Sequence, residues 1–318
     1  VKLVKVIKLK SNTTRFSTFF YFLSGKCLSL EKYHTATEPM ICQAFLPTPA
    51  LQEYIQCYQL RHFVFADVTQ LPYKPYAPRP EQTLAFYPRG WELVEYVQTH
   101  TLLKRPRSYL MGQYVERTNR HIGSTDFLVI LVNFHPGVLY RLTGIPFYEF
   151  TNTSIDAEAI FPKEIRLVNE RLSSTADYRE MITIVENFLQ GLVKFIKKDS
   201  HPLDTVTRHL IEQPENTSVL QLAQSSFLGS RQFERRFKER MGISPKLFTR
   251  IARVTKAFRL KYRQPNTDWL SIALWCGYED YQHLAKDFQA LAGVNPTTYF
   301  LEDNYAPERF FGLRDSSL

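Results

Sequence analysis

The sequence predicts an α+β protein: a small β-barrel or sandwich with attendant helices, followed by an all-α region of two helix-turn-helix units joined by a long helix. Three observations carry this. One pattern occurs twice between Ser218 and Phe300: Leu222-Ala223, Phe233, Phe237 and Gly242-Ile243-Ser244-Pro245, then Ile272-Ala273, Leu284, Phe288 and Gly293-Val294-Asn295-Pro296. Ala223 and Ala273 are 50 residues apart, and Phe237 and Phe288, like Gly242 and Gly293, are 51 apart. Upstream, residues 40–151 fall into short apolar or aromatic runs punctuated by proline, the texture of strands. After residue 151 the apolar period lengthens to that of helices.

Residues 1–39 read as an N-terminal extension, poorly ordered or not native. A Lys-rich start, Val1 to Lys10, precedes an apolar run at 16–23 that is too short for a signal peptide and lacks a small-x-small cleavage site. The chain begins with Val1 and its first methionine is Met40, so little ordered core is expected before residue 40. Residues 40–200 form the predicted sensor and dimerisation domain. Strands are expected over 58–65, 83–87, 92–97, 109–115 and 127–134, with a short helix over 51–57. Helices follow over 156–173 and 178–198. In the second, Met181, Val185, Phe188, Leu192 and Phe195 make a stripe that serves either barrel packing or a subunit interface. Lys197-Lys198-Asp199-Ser200 reads as the linker.

Residues 201–300 are the predicted DNA-binding domain, and 301–318 a tail with no pattern. A helix over 202–213 is amphipathic through Leu203, Val206 and Leu210. The next starts at the capping Ser218 and buries Val219, Leu222 and Ala223. In the helix over 230–241, Phe233, Phe237 and Met241 face a core while Arg231, Glu234, Arg235 and Lys238 share another face. Ser244-Pro245 starts the long helix to Arg263. Asp268 caps a helix burying Trp269, Ile272, Ala273 and Cys276, Gly277 makes a turn, and a helix over 280–292 buries Leu284, Phe288 and Leu291. A closing helix starts at Pro296.

Charge points to a polyanion. Of the formal net charge of +9, residues 1–39 and residues 201–300 carry +5 each, which leaves the remainder at −1. Within 229–263, twelve basic residues face two acidic ones. Four cysteines form no CxxC, which argues against structural zinc, and no apolar run reaches the ~18 residues of a membrane span. On the two outward faces, Arg pairs with guanine, Gln with adenine, Glu accepts from cytosine and an Ala methyl touches thymine. Arg231, Glu234 and Arg235 supply such a set on the first helix. Tyr281, Gln282, Ala285, Lys286 and Gln289 occupy the outer face of the second, while Lys238, Lys246 and Arg250 suit phosphates, which position rather than specify.

Residues 205–300 resemble the DNA-binding domain of the AraC/XylS family of bacterial transcription regulators. The resemblance lies in Leu222-Ala223, residues 231–237, Gly242 to Pro245, Ile272-Ala273, Gly277-Tyr278, residues 284–288 and Gly293 to Pro296. It implies that the helices over 230–241 and 280–292 read two successive major-groove segments. Two departures stand out. Phe227 occupies the turn position where the family usually has glycine, and Tyr281, Gln282 and His283 make the second reading helix bulky. More faintly, residues 45–51, 133–137 and 144–147 resemble the cupin-like sensor region of one branch of that family.

The expected partners are promoter or operator DNA, RNA polymerase, a small-molecule effector and a second copy, in the cytoplasm at the nucleoid and away from any membrane. An apolar pocket lined by Phe86, Tyr87, Trp91 and Tyr109 would take the effector. The alternative is a regulator–repair protein or metal-dependent cupin enzyme fused to a DNA-binding module. Against it, His135 is a lone turn histidine without an HxH partner, and Cys42 and Cys57 lack an activating cation. No catalytic residue, metal or cofactor is expected.

Overall fold

The computed structural model of the chain describes residues 22–23, 26–27, 40–68, 71–216 and 218–310. The expectation for residues 1–39 lies outside them, apart from a hairpin of β1 (Phe22–Leu23) and β2 (Lys26–Cys27). The barrel then runs through β3 (Ile41–Phe45), β4 (Ile55–Val64), β5 (Tyr73–Tyr76), β6 (Gln82–Arg89) and β7 (Glu92–Tyr96). It continues with β8 (Thr101–Lys104), β9 (Ser108–Met111), β10 (Thr118–Ile122), β11 (Asp126–Phe134) and β12 (Ser154–Asp156). These strands make two antiparallel sheets, in the orders β12-β9-β6-β11-β4-β3 and β5-β10-β7-β8.

The larger sheet is buried on both faces, which is why its central strands are apolar at nearly every position. In β11, Leu128, Ile130, Val132 and Phe134 join a core shared with helices, while Phe127, Val129 and Leu131 join the core between the sheets. The helices are α1 (Val138–Thr143), α2 (Ala157–Ile160), α3 (Glu164–Ser174) and α4 (Tyr178–Val193). Pro162 stands between α2 and α3 and splits the single helix expected over 156–173. The helix expected over 51–57 is only a 3-10 turn at Pro49–Leu51, after which Ile55 already pairs in β4.

Of the two readings left open for the α4 stripe the structure shows barrel packing, and the expectation of an apolar effector pocket is corrected. The stripe on α4 is spent internally: Met181, Val185 and Phe188 are buried against the sheet, and only Phe195, at 80% exposed, stands off. The apolar effector pocket is filled. Phe86 and Tyr109 are core residues, the Tyr87 hydroxyl donates to Glu92 at 2.8 Å, and Trp91 lies against Gly123 under Lys104. The space left beside Tyr87 is about 40 Å³, roughly the room one or two waters take.

The helical region comprises α5 (Pro202–Glu212), α6 (Val219–Ser225), α7 (Ser230–Met241), α8 (Pro245–Arg263), α9 (Trp269–Trp275), α10 (Tyr281–Ala292), α11 (Pro296–Asp303) and α12 (Pro307–Phe310). Ser244, Asp268, Asp280 and Asn295 each accept a backbone N–H from the first turn of the helix they cap. Phe233, Phe237, Phe248, Phe258, Phe288 and Tyr299 fill one core along α8. Of the expected 301–318 tail, the described part, residues 301–310, is packed on the rest of the chain. It completes α11 and adds α12, whose Glu308 enters the barrel and pairs with Lys74 and, at 3.7 Å, with Arg61, all three buried.

The two helix-turn-helix units share one turn geometry. The Leu228 amide donates to Ala223 O at 3.1 Å, as the Tyr278 amide does to Ala273 O at 3.0 Å. The bend itself sits at Phe227, φ +57°, and at Gly277, φ +75°. An L residue in the left-handed region is strained by roughly 1–2 kcal/mol, a strain glycine lacks. Phe227 is 86% exposed, so its ring contributes little packing in return. Phe227→Gly is therefore expected to raise stability by about 1 kcal/mol in urea unfolding of the full chain. An unchanged or lower midpoint would assign the exposed ring a stabilising contact.

Candidate nucleic-acid interface

The two candidate faces are built by helix periodicity acting on rigid supports. On α7, Phe233 and Phe237 point into the core and leave Arg231, Glu234 and Arg235 exposed. Among the described residues these three make no hydrogen bond or ion pair, so their polar groups are available to base edges. On α10, Leu284 and Phe288 are buried, Gln282 and Lys286 are exposed, and Tyr281 and Ala285 are half-buried at the same surface. The cap at Asp280 fixes where α10 begins, because its carboxylate accepts the His283 amide at 2.8 Å.

Supporting positions divide. Lys246 is exposed at the start of α8 and Lys238 at the edge of α7, with the Lys238 ammonium 5.8 Å from the Tyr148 ring. Arg250 is engaged instead within the module. Its guanidinium pairs with Asp287 at 2.8 Å, and the Tyr278 hydroxyl donates to the same carboxylate. This contact ties α8 to α10 and fixes α10 on the long helix. Gln289 is also engaged, since its side-chain amide donates to Gly293 O at 2.7 Å and closes the end of α10. Each keeps further N–H donors beyond these bonds, so a phosphate contact would add to them.

The barrel domain holds α7 directly, which the sequence reading missed. Tyr140 donates to Glu239 at 2.8 Å, Thr151 to Gly242 O at 3.0 Å, and Gln82 to Arg240 O at 3.0 Å. Arg240 forks onto Asp204 of α5 at 2.7 and 2.9 Å, donates to Asp199 O, and lies under the Tyr140 ring. A signal was present. Arg240 stands seven residues after Phe233, on the buried side of α7, and a charge there needs a buried partner.

At the same junction, burial and the nearby Arg208 cation pull the His135 imidazole down from its ordinary value to about 4. The unfolded chain takes up that proton near pH 6.5, whereas the folded one resists it until about pH 4. Stability from this group is thus complete above pH 6.5 and is lost as pH falls through that window. His135→Gln should narrow the drop in stability between pH 7 and pH 5 by about 1–2 kcal/mol, discounted for the part-exposed ring. Parallel wild-type and variant melts across that range check it.

The cysteines form no reactive cluster among the described residues. Cys276 is buried and burial pushes its thiol up to about 12. Cys57 accepts a hydrogen bond from Asn133. No helix among the described residues is long and apolar enough to cross a membrane.

Residues 222–301 match a helix-turn-helix domain family, and residues 43–156 match a domain of unknown function, DUF6597. A probable transcriptional regulator, LumQ, from Photobacterium leiognathi is 27% identical over 199 residues, spanning 59% of this chain and 78% of that protein. An uncharacterized HTH-type transcriptional regulator from Haemophilus influenzae is 30% identical over 118 residues, which are 36% of this chain and 39% of that protein. Among solved structures, ToxT from Vibrio cholerae aligns with 77% of this chain and 98% of its own at 9% identity and a TM-score of 0.45.

Proposed function

We propose that the chain is a DNA-binding transcription regulator of the AraC/XylS type whose α7 and α10 read two successive major-groove segments of one operator, a reading supported by the helix-turn-helix match and the regulator relatives. The observation that carries this reading is the pairing of the two faces. Arg231, Glu234 and Arg235 on one helix, and Gln282 and Lys286 on the other, are exposed at matching places of a tandem repeat. The 19-residue α8 separates them, a rod of about 28 Å at 1.5 Å per residue. That length suits readers placed about one helical turn of DNA apart, roughly 34 Å. Competition binding tests the claim: a cognate promoter duplex should outcompete random duplex by about 10³-fold or more. Equal competition would reduce the protein to a sequence-tolerant binder.

The barrel is the sensor in this reading, and it acts on α7 through the Tyr140, Thr151 and Gln82 contacts rather than through the linker alone. RNA polymerase is the partner a promoter-bound regulator would address, which places the protein in the cytoplasm with the nucleoid. Self-association belongs to surfaces other than the α4 stripe, whose central residues are buried. Sedimentation of the full chain tests it, and a strict monomer with and without operator would remove dimerisation from the account.

A further inference from the structure

The barrel grips the helical module at two separate places. One is α7, held by Tyr140, Thr151 and Gln82. The other is the end of the module, where α11 and α12 close over β5. That strand is an edge of the smaller sheet, so its outer backbone groups need partners from elsewhere. Tyr299 of α11 supplies them with one buried hydroxyl, which donates to Pro75 O at 3.1 Å and accepts the Ala77 amide at 2.8 Å. The Tyr299 ring lies 6.2 Å from that of Phe288 on α10 and 4.8 Å from that of Phe258 on α8. Edge strand, closing helix and second helix-turn-helix unit thus form one packed stack.

Adjacent residues of the four-residue α12 face different bodies. Arg309 turns to the module: its guanidinium stacks 3.8 Å from the Tyr262 ring centre on α8 and donates to Asp303 at 3.4 Å. Glu308 turns to the barrel, where its buried carboxylate meets Lys74 and Arg61. Tyr87, Glu92 and Arg120 line the same socket, with about 40 Å³ of space beside the carboxylate. A buried ion pair returns in attraction little more than it loses in hydration. The space beside it is polar and roomy enough for water, so the two cations can be hydrated when Glu308 leaves. Unseating α12 breaks no strand of the barrel. The seated and withdrawn states therefore lie close in free energy, as expected of a segment that opens locally.

We propose that α12 is a releasable latch between the barrel and the second helix-turn-helix unit, with Glu308 as its bolt. Seated, it fixes α11, and through Tyr299 and Phe288 also α10, on the barrel. Withdrawn, it leaves the barrel holding the module chiefly through α7, and α10 gains freedom relative to α7. A change around Lys74 and Arg61 thereby reaches the second unit without passing through the first. The consequence for DNA rests on the assignment of α7 and α10 as readers; the latch itself does not.

Hydrogen exchange of the full chain, without DNA, tests the latch. Glu308→Ala removes the bolt, and Lys74→Met alters its socket from the barrel side. Each should speed exchange over residues 73–77 and 296–310 by about tenfold or more, and leave residues 230–241 as protected as in wild type. The latch is overturned if either variant leaves 296–310 as protected as in wild type. It is also overturned if exchange rises equally over 230–241, which would make the ion pair a general support of the fold. Should Lys74→Met fail to fold, Glu308→Ala decides alone. On a cognate promoter, Glu308→Ala should weaken protection of the segment read by α10 more than of that read by α7. Equal changes at both segments, or none, would overturn the role of the latch in regulation. Failure of the wild type to protect two segments would instead count against the reading helices, and the exchange result would still decide the latch.

Discussion

Asp204→Ala should destabilise the chain by about 3–5 kcal/mol, the cost of leaving a buried guanidinium without its counter-ion. Arg240 is 6% exposed and holds both Asp204 oxygens, at 2.7 and 2.9 Å. The pair also stands at the junction between the barrel and the DNA-binding module. Gly137, at φ +80°, leaves room for Asp204: a Cβ there would lie 2.2 Å from its carboxylate oxygen. The double replacement of Asp204 and Arg240 by apolar residues of similar size should recover much of the loss, because burying the pair is itself expensive. Urea unfolding of the two variants separates the cases. A loss under about 1 kcal/mol for Asp204→Ala would mean that water reaches Arg240 and the junction is loose.

The second large effect concerns recognition. Arg231→Ala and Arg235→Ala should each cost about 1–3 kcal/mol on the cognate operator, and together about 2–6 kcal/mol, with far smaller losses on random duplex. Both residues are exposed beside the buried Phe233 and Phe237, so truncation removes contacts to DNA and leaves the core intact. Folding should be unchanged in the same samples. Equal losses on cognate and random DNA would assign the two side chains to phosphates.

The parts legible in the sequence are those fixed by local pattern. The i, i+4, i+8 spacing of Phe233, Phe237 and Met241 places α7, and the Ser244-Pro245 start with an inner stripe from Phe248 to Tyr262 gives α8 its full span to Arg263. The strained turn is legible too, because Phe227 replaces a residue without a Cβ and the backbone keeps the left-handed geometry. Other elements are hidden by competing signals. Pro75 makes 73–76 read as loop, yet β5 is an edge strand that tolerates a missing donor. In 51–57 a proline-led turn mimics the start of a helix, although Ile55 is β-branched and the strand it opens pairs with β11. Long-range pairing leaves no mark on local pattern. Glu308 meets Lys74 across 234 residues, and Tyr140 meets Glu239 across 99, distances over which no periodicity extends.

For the proposed reading surface the sequence places the exposed faces but not the internal demands on them. Arg250 and Gln289 share the surface pattern of their helices, yet Asp287 and the Gly293 carbonyl engage them. Such bonds depend on how α8, α10 and the turn after α10 are placed in space, which spacing alone does not specify.

The most direct measurement is footprinting of a cognate promoter by the wild type, by Arg231→Ala with Arg235→Ala, and by Gln282→Ala with Lys286→Ala. Two protected major-groove segments about one turn apart, roughly 34 Å, are expected for the wild type, with each double variant losing the segment its own helix reads. Protection of a single segment, with the α10 variant indistinguishable from wild type, would contradict reading by two helices.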